Sequence, residues 1–323
     1  MVINFLLSNV PPMPVNEKIN YDLLVITGPT ASGKTSLAVA VASRVGGEII
    51  SADSRQVYRG MNIGTGKDYD EYISNGRQVA IHLTDIADPG YKYNVFEYQR
   101  DFKKVYYDLK KRNVFPVVCG GSGMYIDSII SGYRMPEVPP DMELRTLLEN
   151  KSMEELITLF RSFREPHNIT DIDNKKRLVR AIEIEYYISK NPENATTFPV
   201  LNPLVIGVKV ERDLRRYRIS QRLKMRLDAG MIDEVKNLLD SGVGQETLIY
   251  YGLEYKYITL YLTGKIQYDE MVRSLETAIH QFAKRQMTWF RGMEKKGVKI
   301  NWIDGLLPVE QKAGTVMELL YEK

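Results

Sequence analysis

The order of hydrophobic segments in this chain predicts an α/β fold, a parallel sheet covered by helices, with an all-helical domain inserted into it. Over the first 140 residues, buried-strand patterns alternate with amphipathic-helix patterns, which is typical of parallel sheets. From Asp141 to Lys190 only helical patterns occur, and a strand pattern returns at Leu204–Val208. A Gly-rich loop follows the first strand pattern, at the end of the strand where such sheets bind ligands.

The composition is that of an ordinary globular protein, with 323 residues, 44% hydrophobic and 26% charged, and a formal net charge of +3. The single cysteine, Cys119, excludes an internal disulfide and a cysteine-rich zinc site, and it suits a reducing, cytoplasmic location. No apolar run approaches the length of a transmembrane helix, so we expect no membrane association. Residues 1–20 predict a loose N-terminal leader, and a monomer is the expected oligomeric state.

The first loop is the most informative motif. The strand pattern Leu23–Thr27 leads into it, and the helix pattern Ser36–Val45 leads out. The loop matches the phosphate-binding pattern G-x-x-x-x-G-K-[ST] with Gly28, Pro29, Thr30, Ala31, Ser32, Gly33, Lys34 and Thr35. Its backbone N–H groups and Lys34 would hold a diphosphate or a longer phosphate chain, and the Thr35 hydroxyl is placed to reach Mg²⁺. The motif does not indicate which reaction follows.

Asp53 is the best candidate for an acid–base residue. It follows the strand pattern Glu48–Ala52. Three interpretations stay open: a general base, an acceptor in the second shell of Mg²⁺, or a cap of the next element. Since ligands bind at the carboxyl ends of parallel strands, Thr27, Asp53 and Ser122 should meet in one crevice.

A second Gly-rich turn, Gly120–Gly123, follows the strand pattern Val114–Cys119. It offers backbone N–H groups and the Ser122 hydroxyl for a ligand, although a plain strand–helix turn would have the same composition. The preceding segment, Asn94–Arg112, predicts a helix that begins with a capping box formed with Glu97.

Basic residues cluster in three separate places. The clusters cover residues 175–180, 212–226 and 284–299. They could converge on a polyanion or be solvated helix faces. In the middle cluster, four arginines share one helix face at spacings of three and four: Arg215, Arg218, Arg222 and Arg226. An adjoining apolar face, which includes Ile219 and Leu223, should pack inward.

These patterns divide the chain into a core domain, residues 21–140 and 200–323, and an inserted helical domain, residues 141–199. The last part of the core is mostly helical, with a long helix from about Tyr268 to Met293. The three histidines have no metal-ligand spacing and receive no role.

Six segments together resemble the bacterial tRNA dimethylallyltransferases, which modify adenosine 37. They are Gly28–Thr35, Gly47–Tyr58, Ile63–Lys67, Gly120–Tyr125, Arg177–Glu183 and Ala283–Arg291, in family order over nearly the whole chain. The resemblance implies a P-loop NTPase-like fold that is used without ATP hydrolysis. It implies transfer of a dimethylallyl group from dimethylallyl diphosphate to N6 of adenosine 37 in a tRNA anticodon loop, with Mg²⁺ as cofactor.

The family's roles carry over onto the matching positions. The catalytic residues would be Asp53 as the base, Ser122 and Arg222. The diphosphate would be bound by Gly28–Thr35 together with Arg218. The residues that contact tRNA would be Asp53, Ser54, Arg55, Gln56, Ser122, Arg145, Asp173, Asn174, Lys175, Lys176, Arg177, Lys284 and Arg285.

The chain departs from the family pattern in three segments. Ser122 stands where threonine is usual, Asp173–Arg177 replaces Asn-Asp-x-Gln-Arg, and Gly252–Lys256 replaces a Gly-Tyr-Lys-Glu stretch. Three alternative functions remain: an adenylate isopentenyltransferase, a P-loop nucleoside monophosphate kinase, or a non-catalytic RNA-binding protein. The inserted helical domain favours a large acceptor, and intact Lys34, Thr35 and Asp53 favour catalysis.

Overall fold

The computed structural model describes residues 19–74, 76–133, 135–165, 173–191 and 198–322. Residues 1–18 of the predicted leader therefore lie outside the described residues. Contacts divide the chain into two compact units. The first comprises the chain up to Ile130 and from Leu201 onward, and the second comprises Ser131–Val200. The helical insertion predicted for residues 141–199 falls within the second unit.

The first unit is built on a six-stranded sheet in the order β5-β2-β6-β1-β7-β8, with every neighbouring pair parallel. The strands of this sheet are β1 (Leu23–Thr27), β2 (Glu48–Ser51), β5 (Ile81–His82), β6 (Pro116–Gly120), β7 (Pro203–Lys209) and β8 (Asn301–Asp304). A separate antiparallel hairpin consists of β3 (Ile73–Ser74) and β4 (Arg77–Gln78), preceded by one 3₁₀ turn at Tyr69–Tyr72. The predicted parallel α/β class is confirmed.

Nine of the described helices belong to the first unit. They are α1 (Lys34–Val45), α2 (Val95–Lys111), α3 (Gly123–Ile130), α7 (Arg212–Asp228), α8 (Met231–Asp240), α9 (Gln245–Tyr251), α10 (Leu253–Leu262), α11 (Tyr268–Lys295) and α12 (Val309–Tyr321). Within the described residues, none of the helices has the length and apolar character needed to cross a bilayer.

Buried aliphatic residues explain the sheet. All five residues of β1 are buried, as expected for a strand covered by helices on both faces. The predicted capping box of α2 is present, with the Asn94 side chain accepting from the backbone N–H of Glu97 and the Glu97 side chain accepting in return. The sequence interpretation missed β8, whose residues Asn301–Asp304 pair with β7.

The second unit consists of α4 (Met142–Glu149), α5 (Met153–Phe163) and α6 (Lys175–Lys190). Its small core is formed by Leu148, Leu156, Phe160, Leu178, Val179 and Ile182. Each helix begins with a side-chain cap, from Asp141, Ser152 and Asn174 respectively. These caps satisfy backbone N–H groups that the first helical turn leaves unpaired.

Candidate active site

A cavity of about 460 Å³ opens at the carboxyl ends of β1, β2 and β6. Three loops that follow these strands contribute to its wall. From the predicted site residues, the structure brings together Thr30, Lys34, Thr35, Asp53, Ser54, Arg55, Gln56, Ser122, Arg222 and Arg285. Thr27 was expected there as well, and that expectation is wrong. Thr27 is fully buried and its hydroxyl donates to the carbonyl of Gly120 at 3.1 Å.

The loop Gly28–Thr35 has the backbone that its glycines predict. A Cβ at Gly28 would lie 2.5 Å from the carbonyl oxygen of Val208, and Gly33 has a φ of +82°. Both positions therefore require glycine. Pro29, Ala31 and Ser32 do not line the cavity, and Ser32 is fully buried. These residues shape the loop, while Thr30, Lys34 and Thr35 reach the cavity.

Lys34 is a cationic side chain of the cavity wall, and the carboxylates of Asp53 and Glu71 act on it only from a distance. Among the described residues, no carboxylate lies within ion-pair distance of its ammonium group. Burial lowers the pKa of Lys34 below its ordinary value, and the charge of Arg222 acts in the same direction. An anion in the cavity would relieve both effects.

Gln286 connects the first loop with the second Gly-rich turn. Its Oε1 accepts from the backbone N–H of Thr30 at 2.9 Å, and its Nε2 donates to the carbonyl of Gly121 at 2.9 Å. The side chain is buried on α11, and a Cβ at Gly121 would lie 2.3 Å from its Nε2. The sequence interpretation gave Gln286 no role. A polar residue beside the apolar Met287 on a buried helix face was the available signal.

Asp53 both caps a turn and faces the cavity. Its Oδ1 accepts from the backbone N–H groups of Arg55, at 2.8 Å, and Gln56, at 3.4 Å. In the described part of the chain, Oδ2 accepts no hydrogen bond. The backbone N–H of Ser54 donates to Ser122 Oγ at 2.9 Å, which joins this turn to the second Gly-rich turn. The cap therefore fixes one carboxylate oxygen and leaves the other one available.

Gln56 and Arg55 occupy different surroundings. Gln56 Oε1 accepts from Ser51 Oγ at 3.0 Å, and its Nε2 donates to the carbonyl of Gly66 at 3.1 Å, so this side chain supports a neighbouring loop. The Arg55 guanidinium lies over the rings of Tyr250 and Tyr251, 5.9 Å and 5.4 Å from their centroids. Tyr250 is 55% exposed, so this aromatic and cationic pair is accessible at the cavity wall.

The loop that Gln56 supports, residues 63–67, is held mainly by Glu234. This carboxylate accepts from the backbone N–H groups of Asn62, at 2.8 Å, Ile63, at 2.7 Å, and Gly64, at 3.1 Å. Nothing in the sequence pattern indicated this role for Glu234. Because Glu234 lies on α8, the contact fixes the loop against that helix, beside the cavity that Gly64, Thr65 and Gly66 line.

The arginine row on α7 divides into two halves. Ile219 and Leu223 are buried as predicted, and Arg222 lines the cavity. Arg218 does not line it. Arg218 lies near Lys312 instead, whose pKa is lowered by burial and by the charge of Arg218. The rotation and position of α7 thus select which arginines can meet a ligand.

The remaining predicted contacts lie elsewhere. On α11, Arg285 lines the cavity whereas Lys284 is exposed and does not. In the second unit, Arg145 forms a two-bond ion pair with Glu183 at 2.8 Å. The segment Asp173–Arg177 begins α6: Asn174 caps it, the Lys175 Nζ donates to the carbonyl of Glu149 at 2.7 Å, and Asp173, Lys176 and Arg177 are exposed.

The described residues contain no cluster of three or more His, Cys, Asp or Glu side chains that could hold a metal by itself. Mg²⁺ in proteins is commonly held by one or two side-chain oxygens together with substrate phosphates and water. The Thr35 hydroxyl and the Asp53 carboxylate line the same cavity as Lys34, so the residues present fit that kind of site.

The fold and this site define a P-loop-like α/β protein with a cationic cavity at the carboxyl end of its sheet. The family model described as IPP transferase matches residues 56–293. The chain is 58% identical over 303 residues to tRNA dimethylallyltransferase 2 of Bacteroides fragilis, covering 94% of this chain and 99% of that protein. It is 55% identical over 301 residues to tRNA dimethylallyltransferase 1 of Parabacteroides distasonis, covering 93% and 98%.

Two solved structures are similar to this one. The full-length tRNA isopentenylpyrophosphate transferase of Bacillus halodurans has a TM-score of 0.66 at 31% identity, covering 92% of this chain and 94% of that one. A eukaryotic dimethylallyltransferase crystallised while acting on tRNA has a TM-score of 0.74 at 19% identity, covering 92% and 77%, which shows the shared fold. The chain belongs to the IPP transferase family, and it is a transferase enzyme.

Proposed function

We propose that this enzyme transfers a dimethylallyl group from dimethylallyl diphosphate to N6 of adenosine 37 in the anticodon loop of tRNA, releasing diphosphate. The names of its relatives support the tRNA substrate and the group transferred. The observation that carries the reaction is that Lys34, Arg222 and Asp53 line one cavity. Cations for a leaving anion and a carboxylate for an incoming amine are thus available together.

The diphosphate end of the substrate would lie against the loop Gly28–Thr35. Backbone N–H groups at the start of α1 favour an anion, and Lys34 and Arg222 add positive charge at the cavity wall. As the bond between the allylic carbon and diphosphate oxygen breaks, negative charge grows on that oxygen. Cations already positioned there stabilise the transition state without reorganising.

The adenine amine is a weak nucleophile, so its proton must leave as the new bond forms. The N6 nitrogen attacks the allylic carbon, the C–N bond forms, and the N6 proton passes to the Asp53 carboxylate. The oxygen of Asp53 that accepts no hydrogen bond in the described structure, Oδ2, is suited to this role. Ser122 supports this carboxylate through its contact with the backbone of Ser54.

Mg²⁺ is proposed as the cofactor, held by the Thr35 hydroxyl and the bound diphosphate, with Asp53 near it. When bound, it would neutralise charge on the leaving diphosphate. Thr35 is the second residue of α1, so its backbone is held by the helix.

For tRNA binding, the target base would be flipped from its stack into the cavity. Arg55 with Tyr250 offers a cationic and aromatic surface suited to a nucleobase. Further contacts are proposed for Ser54, Gln56, Arg145, Asp173–Arg177, Lys284 and Arg285. The enzyme is proposed to act as a monomer in the cytoplasm.

The test is to offer radiolabelled dimethylallyl diphosphate with unmodified tRNA, AMP or ATP in separate reactions. We expect label in tRNA alone, at adenosine 37 after nuclease digestion. Label in AMP or ATP would make the protein an adenylate isopentenyltransferase. Transfer of a phosphate from ATP to a nucleoside monophosphate, without alkylation of tRNA, would make it a kinase.

A further inference from the structure

Arg226 has a buried guanidinium nitrogen that no group in the described structure satisfies. It lies one helical turn after Arg222 on α7, with its side chain 14% exposed. Its Nη2 is buried and has no hydrogen-bond partner among the described residues. A buried donor that has lost water without gaining a partner is unfavourable, and more so when it is charged.

The carboxylate that forms an ion pair with Arg226 in the described structure does not supply the missing hydrogen bond. Asp68 Oδ2 lies 3.9 Å from Arg226 Nη2 and 3.8 Å from Arg222 Nη2, beyond hydrogen-bond distance from either. Asp68 is about half exposed, so water weakens its attraction further. Burial, followed by the charge of Arg222, lowers the pKa of Arg226 to about 10.

The two arginines are held close together by the loop that Glu234 anchors. Gly66 in this loop has a φ of +68°, and a Cβ there would lie 1.8 Å from Arg226 Nη2 and 2.2 Å from Arg222 Nη2. A side chain at position 66 would displace both guanidinium groups from their present positions. Packing that forces two like charges together is compensated most directly by an anion between or beside them.

The cavity wall shows where this anion would be. Arg226 lines the main cavity together with Lys34, Thr35 and Arg222. Arg226 and Arg222 also line a small cleft with Thr30 of the first loop and with Glu254. Burial raises the pKa of Glu254, while the charge of Arg226 acts to lower it. Arg226 thus borders the loop proposed to hold the diphosphate.

We propose that Arg226 is a second arginine of the diphosphate site, donating Nη2–H to a diphosphate oxygen next to Arg222. The inference rests on the proposed function for its choice of ligand. In this site the leaving group is bound by two guanidinium groups and Lys34, and Glu254 lines the cavity wall beside Arg226. The alternative is a structural role, in which Arg226 only neutralises Glu254.

The direct test is calorimetric titration of the full chain with inorganic diphosphate and Mg²⁺. We expect Arg226→Gln to weaken diphosphate binding by about tenfold or more, because a charge-assisted hydrogen bond is lost, and Arg226→Lys to lose less. The matched control is Lys236→Gln, an exposed cation on α8 outside the cavity, which should stay within about twofold of wild type. The affinity of Arg226→Gln for tRNA should be nearly unchanged.

A double-mutant cycle separates direct contact from neutralisation. If Arg226 contacts diphosphate, the Arg226→Gln substitution weakens diphosphate binding by a similar factor whether Glu254 is intact or replaced by Gln. If the cost disappears in the Glu254→Gln background, Arg226 is only a charge partner and the proposal is overturned. The proposal is also overturned if Arg226→Gln and Arg226→Lys both bind diphosphate with wild-type affinity. Their melting temperatures would show that both variants are folded.

These outcomes are distinct from failure of the proposed function. If the wild-type enzyme does not alkylate tRNA but loses diphosphate affinity on Arg226→Gln, the function is wrong and the anion site stands. If it alkylates tRNA while Arg226→Gln binds diphosphate normally, the function stands and this inference is wrong.

Discussion

The two compact units treat buried charge in opposite ways. In the helical unit, the Glu183 carboxylate is 1% exposed and fully engaged: Arg145 donates two hydrogen bonds, the backbone N–H of Asp141 donates at 2.6 Å, and Arg180 pairs with it as well. In the sheet unit, the partly buried cations Lys34 and Arg226 have no comparable partners among the described residues.

The difference separates charge used for folding from charge kept for a ligand. A satisfied carboxylate stabilises the helices that supply its partners. Cations without partners lower the stability of the free protein, and the binding of an anion restores that stability. Substitutions in the helical unit should therefore change stability, and those in the cavity should change binding and catalysis.

The largest effect is expected at Asp53. Asp53→Asn keeps a hydrogen-bond acceptor for the turn but removes the base, so transfer to tRNA should fall by about 10²–10⁴. Single-turnover transfer of labelled dimethylallyl groups measures this. Asp240→Asn, an exposed site at the end of α8, is the control and should transfer normally. Near-wild-type transfer by Asp53→Asn would show that the base is another group.

The second effect tests the helical unit. Glu183→Gln removes the charge that two arginines share, and since both arginines are partly exposed we expect a loss of about 2–3 kcal/mol in local stability. Amide hydrogen exchange in α6, read by mass spectrometry, should show faster opening. Glu154→Gln, exposed on α5, should change exchange little. Unchanged protection in Glu183→Gln would contradict the assigned role of this network.

The same carboxylate predicts an acid response. Burial opposes its ionisation, but hydrogen bonds from Arg145, Arg180 and Asp141 lower the pKa of Glu183 to about 2, from an ordinary value of 4.5. A lowered pKa stabilises the folded state above the ordinary value, and that stability is lost as pH falls from 4.5 toward 2. In this range, exchange in α6 of wild type should approach that of Glu183→Gln.

The smallest expected effect is at Lys34, where a substitution should increase the free energy of unfolding rather than decrease it. Burial lowers the pKa of Lys34, so the protonated form costs stability at every pH below that lowered value. Lys34→Met should therefore raise the free energy of unfolding by about 0.5–2 kcal/mol, while it weakens diphosphate binding. Thermal melting without ligand and titration with diphosphate measure the two. A lower melting temperature for Lys34→Met would contradict the conclusion that the charge of Lys34 lowers the stability of the free protein.

Local patterns were sufficient to predict four of the six strands of the sheet, the first loop and the start of α2, but they did not reveal β5 or β8. The eight-residue pattern Gly28–Thr35 requires particular backbone angles, and the alternation of strands and helices leaves few arrangements other than a parallel sheet. The same reasoning placed Asp53 and Ser122 at the end of the sheet where the cavity lies.

What the sequence by itself determined is which residues share a strand end or a helix face. Which of them meet depended on packing between elements distant in the chain. Arg222 and Arg226 reach the cavity while Arg218 does not, because the position of α7 against α11 is set by buried side chains. Gln286 and Glu234 hold loops more than 160 residues away, and such contacts leave no short-range signal for a sequence pattern to reveal.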